Sequence, residues 1–168
     1  MKKKADVLVS VLMGSDSDLS IMKEALETLK KFGIPYELYL TSAHRTPERT
    51  KAFAQKAEDR GVKVLIVGAG AAAHLAGVIA SLTRLPVIGV PIDATSLGGL
   101  DALLSTVQMP AGIPVATMAI GKAGARNAAI MAARILALSD AELRKKLQQH
   151  AEQMARDVEE KHKKLECL

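Results

Sequence analysis

Along the first 140 residues, short apolar runs rich in β-branched side chains alternate with stretches whose apolar positions recur at helical spacing. The runs are VLVSVLM (7–13), YELYL (36–40), VKVLIVG (62–68), PVIGV (86–90) and PVATMAI (114–120). Most are apolar at consecutive positions, as strands covered on both faces must be. The intervening patterns predict helices near 18–32, 47–60, 74–83, 99–107 and 123–138. Gly33 and Pro35 end the first and Gly61 ends the second. Repeated strand–helix alternation predicts a doubly wound α/β sandwich on five parallel strands, in which ligands bind beyond the carboxyl ends of the strands at the topological switch point. Neither a linker nor an internal repeat interrupts the series.

Residues 140–166 follow a different pattern. Asp140 is placed to cap a helix, and Leu143, Leu147, Ala151, Met154, Val158 and Leu165 form one narrow apolar stripe on a long charged face. One stripe needs one partner, and a helix reaching this far past the last strand favours a neighbouring subunit over its own domain.

Length changes this picture little: 168 residues suit one domain over 1–168, with a core at 6–138 and a helical extension at 140–166. Cys167 is the sole cysteine, which leaves no internal disulfide and no cysteine-built metal site and points to a reducing, cytoplasmic setting. The N-terminal run is followed at once by acids and reads as a first strand rather than a secretion signal. No apolar run approaches the roughly 20 residues that cross a bilayer, so no membrane span is expected. The net charge is +5, but Lys2, Lys3 and Lys4 sit on what reads as a frayed end, and two Phe, two Tyr and no Trp give no stacking platform for nucleic acid. A small anionic ligand suits this balance at least as well.

Three loops carry the candidate chemistry. In MGSDSDL (13–19), Gly14 allows a tight turn, and Ser15, Asp16, Ser17 and Asp18 crowd a helix start that either caps itself or receives an anion. In TSAHRTPE (41–48), Thr46, Pro47 and Glu48 read as a capping hydroxyl, a first-turn proline and a first-turn acid. That leaves Ser42, His44 and Arg45 unexplained: Arg45 has the planar fork that grips phosphate, or is an ordinary surface charge, and His44 is either structural or a proton carrier. In VGAGAAAHLAG (67–77), Gly68, Gly70 and Ala73 match a dinucleotide-binding G-x-G-x-x-A pattern, with Asp93 at about the expected distance. The loop nonetheless follows the third strand rather than the first, and Asp93 is read as lying beyond Pro91 rather than at a strand tip. His74 opens the next helix as a cap-region residue or a ligand contact. AIGKAGA (119–125) fails as a phosphate loop because Ala123 stands where Ser or Thr is required. There is no G-x-S-x-G elbow and no H-E-x-x-H helix.

Taken in order, MGSDSD, FGIPYE, SAHRTPE, GAGAAAHLAG, LPVIGVPI, GLDALLSTVQMP and PVATMAIGKAGARNAA span 13–129, and together the set closely resembles the bacterial PurE family of N5-carboxyaminoimidazole ribonucleotide mutases. One departure stands in the third loop, where Ala76 replaces the family's proline and bears on loop stiffness. The resemblance implies a three-layer, flavodoxin-like domain, a symmetric homo-octamer, and no cofactor or metal. It implies that Ser15 and Arg45 hold a 5′-phosphate, that Asp18 meets the ribose hydroxyls, that His44 carries the proton, and that Ser42, Gly70, Ala71, His74 and Leu75 line the base pocket. The activity implied is movement of a carboxylate from N5 to C4 of an aminoimidazole ribonucleotide. The rival readings are direct carboxylation of the ribonucleotide by CO₂, and a nucleotide- or flavin-binding module without catalysis.

Overall fold

The computed structural model describes residues 7–166, so the lysines at 2–4 and Cys167 lie outside the described residues. Strands β1 (Val9–Met13), β2 (Tyr36–Leu40), β3 (Val64–Gly70), β4 (Val87–Ile92) and β5 (Ala116–Thr117) alternate with helices α1 (Leu19–Phe32), α2 (Pro47–Ala57), α3 (Leu75–Ala80), α4 (Leu100–Val107) and α5 (Lys122–Leu136). A long helix, α6 (Ala141–Leu165), ends the fold. The strands form one sheet in the order β2-β1-β3-β4-β5, with every neighbouring pair parallel. This is the expected doubly wound, flavodoxin-like arrangement, and its switch point lies between β1 and β3.

Each face of the sheet has its own apolar layer. Met22, Ala25 and Leu29 of α1 pack with the alanines of α5 and with Leu143 of α6 against Val9, Val11, Ile66 and Ile88. On the other face, Phe53 and Ala54 of α2, Leu75 and Ile79 of α3 and Ala102 of α4 cover Leu12, Leu65 and Val87. Ala125, Ala128, Ala129, Ala132 and Ala133 are all 0% exposed. A helix face of methyl groups lies close to both the sheet and α1, which is how a chain with only four aromatic rings still fills its interior.

Several boundaries differ from those the pattern predicts, each for a local reason. Gly33 and Gly61 do end their helices in left-handed backbone, at φ 73° and 88°. Asp140 caps α6, its Oδ1 accepting from the Leu143 N–H at 2.9 Å. Residues 16–18 and 58–60 are single turns of 3₁₀ helix, so α1 starts at Leu19 rather than at 18 and α2 ends at Ala57 rather than at 60. β4 runs on through Pro91 to Ile92 because β3, alongside it, reaches Gly70, and Asp93, contrary to its reading from the sequence, is therefore the first residue past a strand tip. β5 keeps only two residues of the expected seven: it is an edge paired on one side, and beyond Thr117 the backbone bonds to β4 run from Met118 N–H to Gly89 O and from Gly121 N–H to Pro91 O. Ala76 sits inside α3 and is buried, so the missing proline concerns the first turn of a helix and not the loop.

The first half of α6 packs on its own chain. Leu143 is buried, Lys146 Nζ donates to Phe32 O at 3.0 Å, and His150 meets the Phe32 ring edge-on at 5.4 Å. Past residue 150 the stripe is open, with Met154, Val158 and Leu165 at 48%, 63% and 65% exposure. Among the described residues no helix is long and apolar enough to cross a membrane.

Gly124, in the first turn of α5, lies so close to Ala119 that an added Cβ would run into the Ala119 carbonyl. Gly→Ala inside a helix ordinarily stabilises by about 1 kcal/mol. Here the obstacle is backbone, which cannot rotate away, and Gly124→Ala should instead cost on the order of 3 kcal/mol. Chemical denaturation checks this, and a rise in stability would refute the close approach.

Candidate active site

The loops after β1, β2, β3 and β4 all emerge at the carboxyl edge of the sheet, and together they wall a cavity of about 340 Å³ at the β1/β3 switch point. Ser15, Asp18, Ser42, His44, Arg45, Gly70, Ala71 and Leu75, named from the sequence on separate loops, all line it. His74 does not border the cavity. It stands behind His44, whose Nε2 lies 2.9 Å from His74 Nδ1, with the rings edge-to-face at 5.0 Å. Such a bond uses one N–H and one lone pair, so it survives when one ring is cationic and breaks when both are.

The first loop caps itself. Asp18 is only 4% exposed; its Oδ2 accepts from the Ser15 N–H at 3.1 Å, and Asp16 Oδ1 accepts from the Ser17 N–H at 3.1 Å. The chain bends at Gly14, but not in left-handed backbone. What Gly14 supplies is a carbonyl, which receives Arg45 Nη2 at 2.8 Å. Arg45 thereby reaches from the β2 loop across to the β1 loop, held at its base by its own N–H donating to Ser42 Oγ at 3.2 Å.

The second loop is fixed from below by hydroxyls. Thr46 is the residue before α2, but its hydroxyl caps no helical N–H. It turns back instead, accepting from the Ser42 N–H at 3.0 Å, while buried Thr41 and Thr50 bond each other at 2.8 Å. The capping role expected of Thr46 is thus replaced by closure of the loop that carries His44 and Arg45.

The third loop is not a dinucleotide turn. Gly68 and Gly70 lie within β3, and α3 is a helix of six residues. An added Cβ at Gly68 would strike Met22 of α1, and one at Gly70 would come 2.5 Å from the Ala94 Cβ. These glycines admit a helix side chain and the β4 loop, not a pyrophosphate. Ala71 follows at φ 54°, the one left-handed non-glycine among the described residues, and the Ala73 and His74 N–H groups turn back to the Ala71 and Ala72 carbonyls.

Gly14 and Ser17, singled out in the first loop without a site role, also line the cavity, and sequence reasoning missed Ala43, Ala69, Ala72 and Ala94 on its wall. Alanines carry no chemical signature. Ala94 was open to discovery only by recognising that β4 continues through Pro91, since loops at strand tips are where such folds bind. Among the described residues no group of three or more His, Cys, Asp or Glu could hold a metal ion.

Three comparisons bear on this site. The family model described as AIR carboxylase matches residues 8–157. The chain is 58% identical over 164 residues to a protein of Pyrococcus horikoshii named N5-carboxyaminoimidazole ribonucleotide mutase, covering 98% of this chain and 92% of that protein. It is 54% identical over 160 residues to the Thermotoga maritima protein of the same name, covering 95% and 92% respectively. Among solved structures, Treponema denticola PurE superposes with a TM-score of 0.85 at 33% identity, covering 94% of this chain and 98% of that one.

Burial pushes the Asp18 carboxyl above the usual carboxylate range, outweighing the hydrogen bonds from Ser15 and Ser17 that favour its charge. A raised folded-state value means that the unfolded chain releases this proton first, so stability falls as pH rises through the unfolded value and stays lower above the folded one. Asp18→Asn keeps an acceptor for the Ser15 N–H and removes the charge. It should therefore melt higher than the parent protein at pH 7, with the gap closing near about pH 3, where both carboxyls are protonated. Paired melting curves at the two pH values test this, and a lower melting point at pH 7 would show that the hydrogen bonds outweigh burial.

Proposed function

Because this chain belongs to the AIR carboxylase family, we propose that it is an N5-carboxyaminoimidazole ribonucleotide mutase, moving a carboxylate from N5 to C4 of the aminoimidazole ring. The observation that carries this reading is that His44 and Arg45, adjacent in sequence, open on one cavity that is also lined by Ala69, Gly70, Ala71, Ala72 and Ala94. A phosphate grip and a proton carrier thus share a cavity with small residues that admit a flat ring closely.

In this reading Ser15 and Arg45 hold the 5′-phosphate, and Asp18, whose carboxylate is preorganised on the Ser15 N–H, takes the ribose hydroxyls. Ser42, Gly70, Ala71 and Leu75 surround the base, and His74 acts from behind His44. The cationic form of His44 gives its proton to the carbamate nitrogen. The N–C bond then breaks, its electron pair staying on nitrogen, and CO₂ and the aminoimidazole stand side by side. Electron density pushed into the ring makes C4 nucleophilic; C4 attacks CO₂, a C–C bond forms, and His44 recovers a proton from C4 as the ring regains aromaticity. One imidazole serves both steps, and His44 leaves the cycle as it entered. The small side chains of Ala69, Ala71, Ala72 and Ala94 keep the freed CO₂ within reach of C4, so that proximity drives recapture. The substrate is a small ribonucleotide, and neither nucleic acid nor a membrane enters the proposal.

The whole chain is read as one domain working in the cytoplasm as a homo-octamer. Supporting this is unpartnered apolar surface: Leu100, Leu104 and Val107 on α4 and Met154, Val158 and Leu165 on α6 are all exposed in the single chain. Light scattering at micromolar concentration should give a particle about eight times the 17.8 kDa chain. A monodisperse monomer would defeat the assembly.

The reaction itself is tested with His44→Asn, assayed on the carbamate substrate with no ATP or metal. The amide keeps a similar size but cannot titrate, so turnover should fall by about 10²- to 10⁴-fold while nucleotide affinity and melting temperature hold. Retention of more than about a tenth of parental turnover would remove His44 as proton carrier.

A further inference from the structure

Beside the site cavity lies a second one of about 310 Å³. It shares Gly14, Ser15, Ser42 and Arg45 with the first and adds Thr46 and Arg49. The two spaces meet along Arg45, whose Nη2 is fixed to the Gly14 carbonyl at 2.8 Å. Arg49 follows four residues later, in the first turn of α2, and only its Nε is used, donating to the Tyr39 hydroxyl at 3.0 Å while the guanidinium lies 4.8 Å from the Tyr39 ring centroid. Among the described residues no carboxylate lies within ion-pair distance of Arg45 or Arg49, whereas Arg60, Arg84 and Arg126 each have one. The acid on the rim, Asp16, spends Oδ1 on the Ser17 N–H and the Ser15 hydroxyl.

Two guanidinium groups that line one cavity beside the hydroxyls of Ser15, Ser42 and Thr46, neither of them ion-paired with the rim acid Asp16 or any other carboxylate among the described residues, describe a receptor for more negative charge than one phosphate carries. We propose that the second cavity is a subsite for the outer phosphate of a diphosphate group, with Arg45 shared between the two phosphates and Arg49 holding the outer one. The ligand class is a phosphoanhydride, free or at the 5′ end of a ribonucleotide, and its binding excludes a monophosphate substrate from Arg45. This rests on the placement of the substrate phosphate at Ser15 and Arg45. Binding measurements need no turnover, so failure of the subsite and failure of the mutase reading are separate results.

The test is calorimetric titration of the full-length protein with inorganic phosphate and with pyrophosphate. Pyrophosphate should bind at least about tenfold more tightly. Arg49→Gln should bring it to within about twofold of phosphate without changing phosphate affinity, and Arg45→Ala should weaken both anions. Arg49→Lys, which keeps the charge and loses the planar fork, should fall between, and melting temperatures taken alongside establish that each variant is folded. Lys51→Gln, which removes an exposed charge from the same helix, should change neither affinity. AMP and ADP run in the same way separate the sources: an Arg49-dependent preference for ADP assigns the subsite to a nucleotide-borne diphosphate. Absence of that preference beside a retained one for pyrophosphate assigns it to the free anion. Equal affinities for phosphate and pyrophosphate, or a loss on Lys51→Gln as large as on Arg49→Gln, would overturn the proposal.

Discussion

A sheet whose five strands all run the same way needs a crossover between each strand and the next, and each crossover helix must lie on one face or the other. Here α1, α5 and α6 cover one face while α2, α3 and α4 cover the opposite one. The chain changes face between β1, whose helix goes one way, and β3, whose helix goes the other. The loops leaving these adjacent strands therefore part, and the gap they leave is the cavity. Nothing in the four loops has to create that concavity; they only furnish it. A 340 Å³ site in a chain with so few bulky side chains is a consequence of strand order first and of residue choice second.

Close approach is the second theme, and small residues permit it. The buried alanine face of α5 lets the helix settle near the sheet, and Gly68 leaves room for Met22 beneath it. Gly70 does the same for Ala94, which brings the β4 loop to the wall of the cavity. The same economy that packs the interior makes one side of the site smooth and apolar. Ala71 holds a left-handed conformation there, a strain of about 1 kcal/mol or more that the flanking strand and helix impose.

The polar groups of the same cavity occupy one another. Arg45 rests on the Gly14 carbonyl, Asp18 on the Ser15 N–H, and His44 on His74. These bonds hold each side chain near one orientation, so little rotamer entropy remains to be lost when a ligand displaces a partner. Burial of Asp18 without a cation to pair it works against the stability of the fold, which is the pattern expected where a group is kept for binding.

The sequence by itself determined the strand–helix alternation, the helix ends at Gly33 and Gly61, the cap at Asp140 and the identity of the loops that carry polar chemistry. All of these rest on preferences acting within a few residues: apolar periodicity, the freedom of glycine at positive φ, and a carboxylate reaching a nearby N–H. Tertiary structure decided the rest. The length of β4 through Pro91 and the shrinking of β5 depend on what each strand finds alongside it. Thr46 is diverted from its helix because the Ser42 N–H lies within reach, and Gly68 and Gly70 are drawn into β3 by pairing with β1 and β4. The meeting of His44 with His74, thirty residues apart, and of Arg45 with Gly14, thirty-one apart, has no local cause. Both contacts exist because the β1, β2 and β3 loops leave the same edge of one sheet, a fact of strand order that no local spacing encodes.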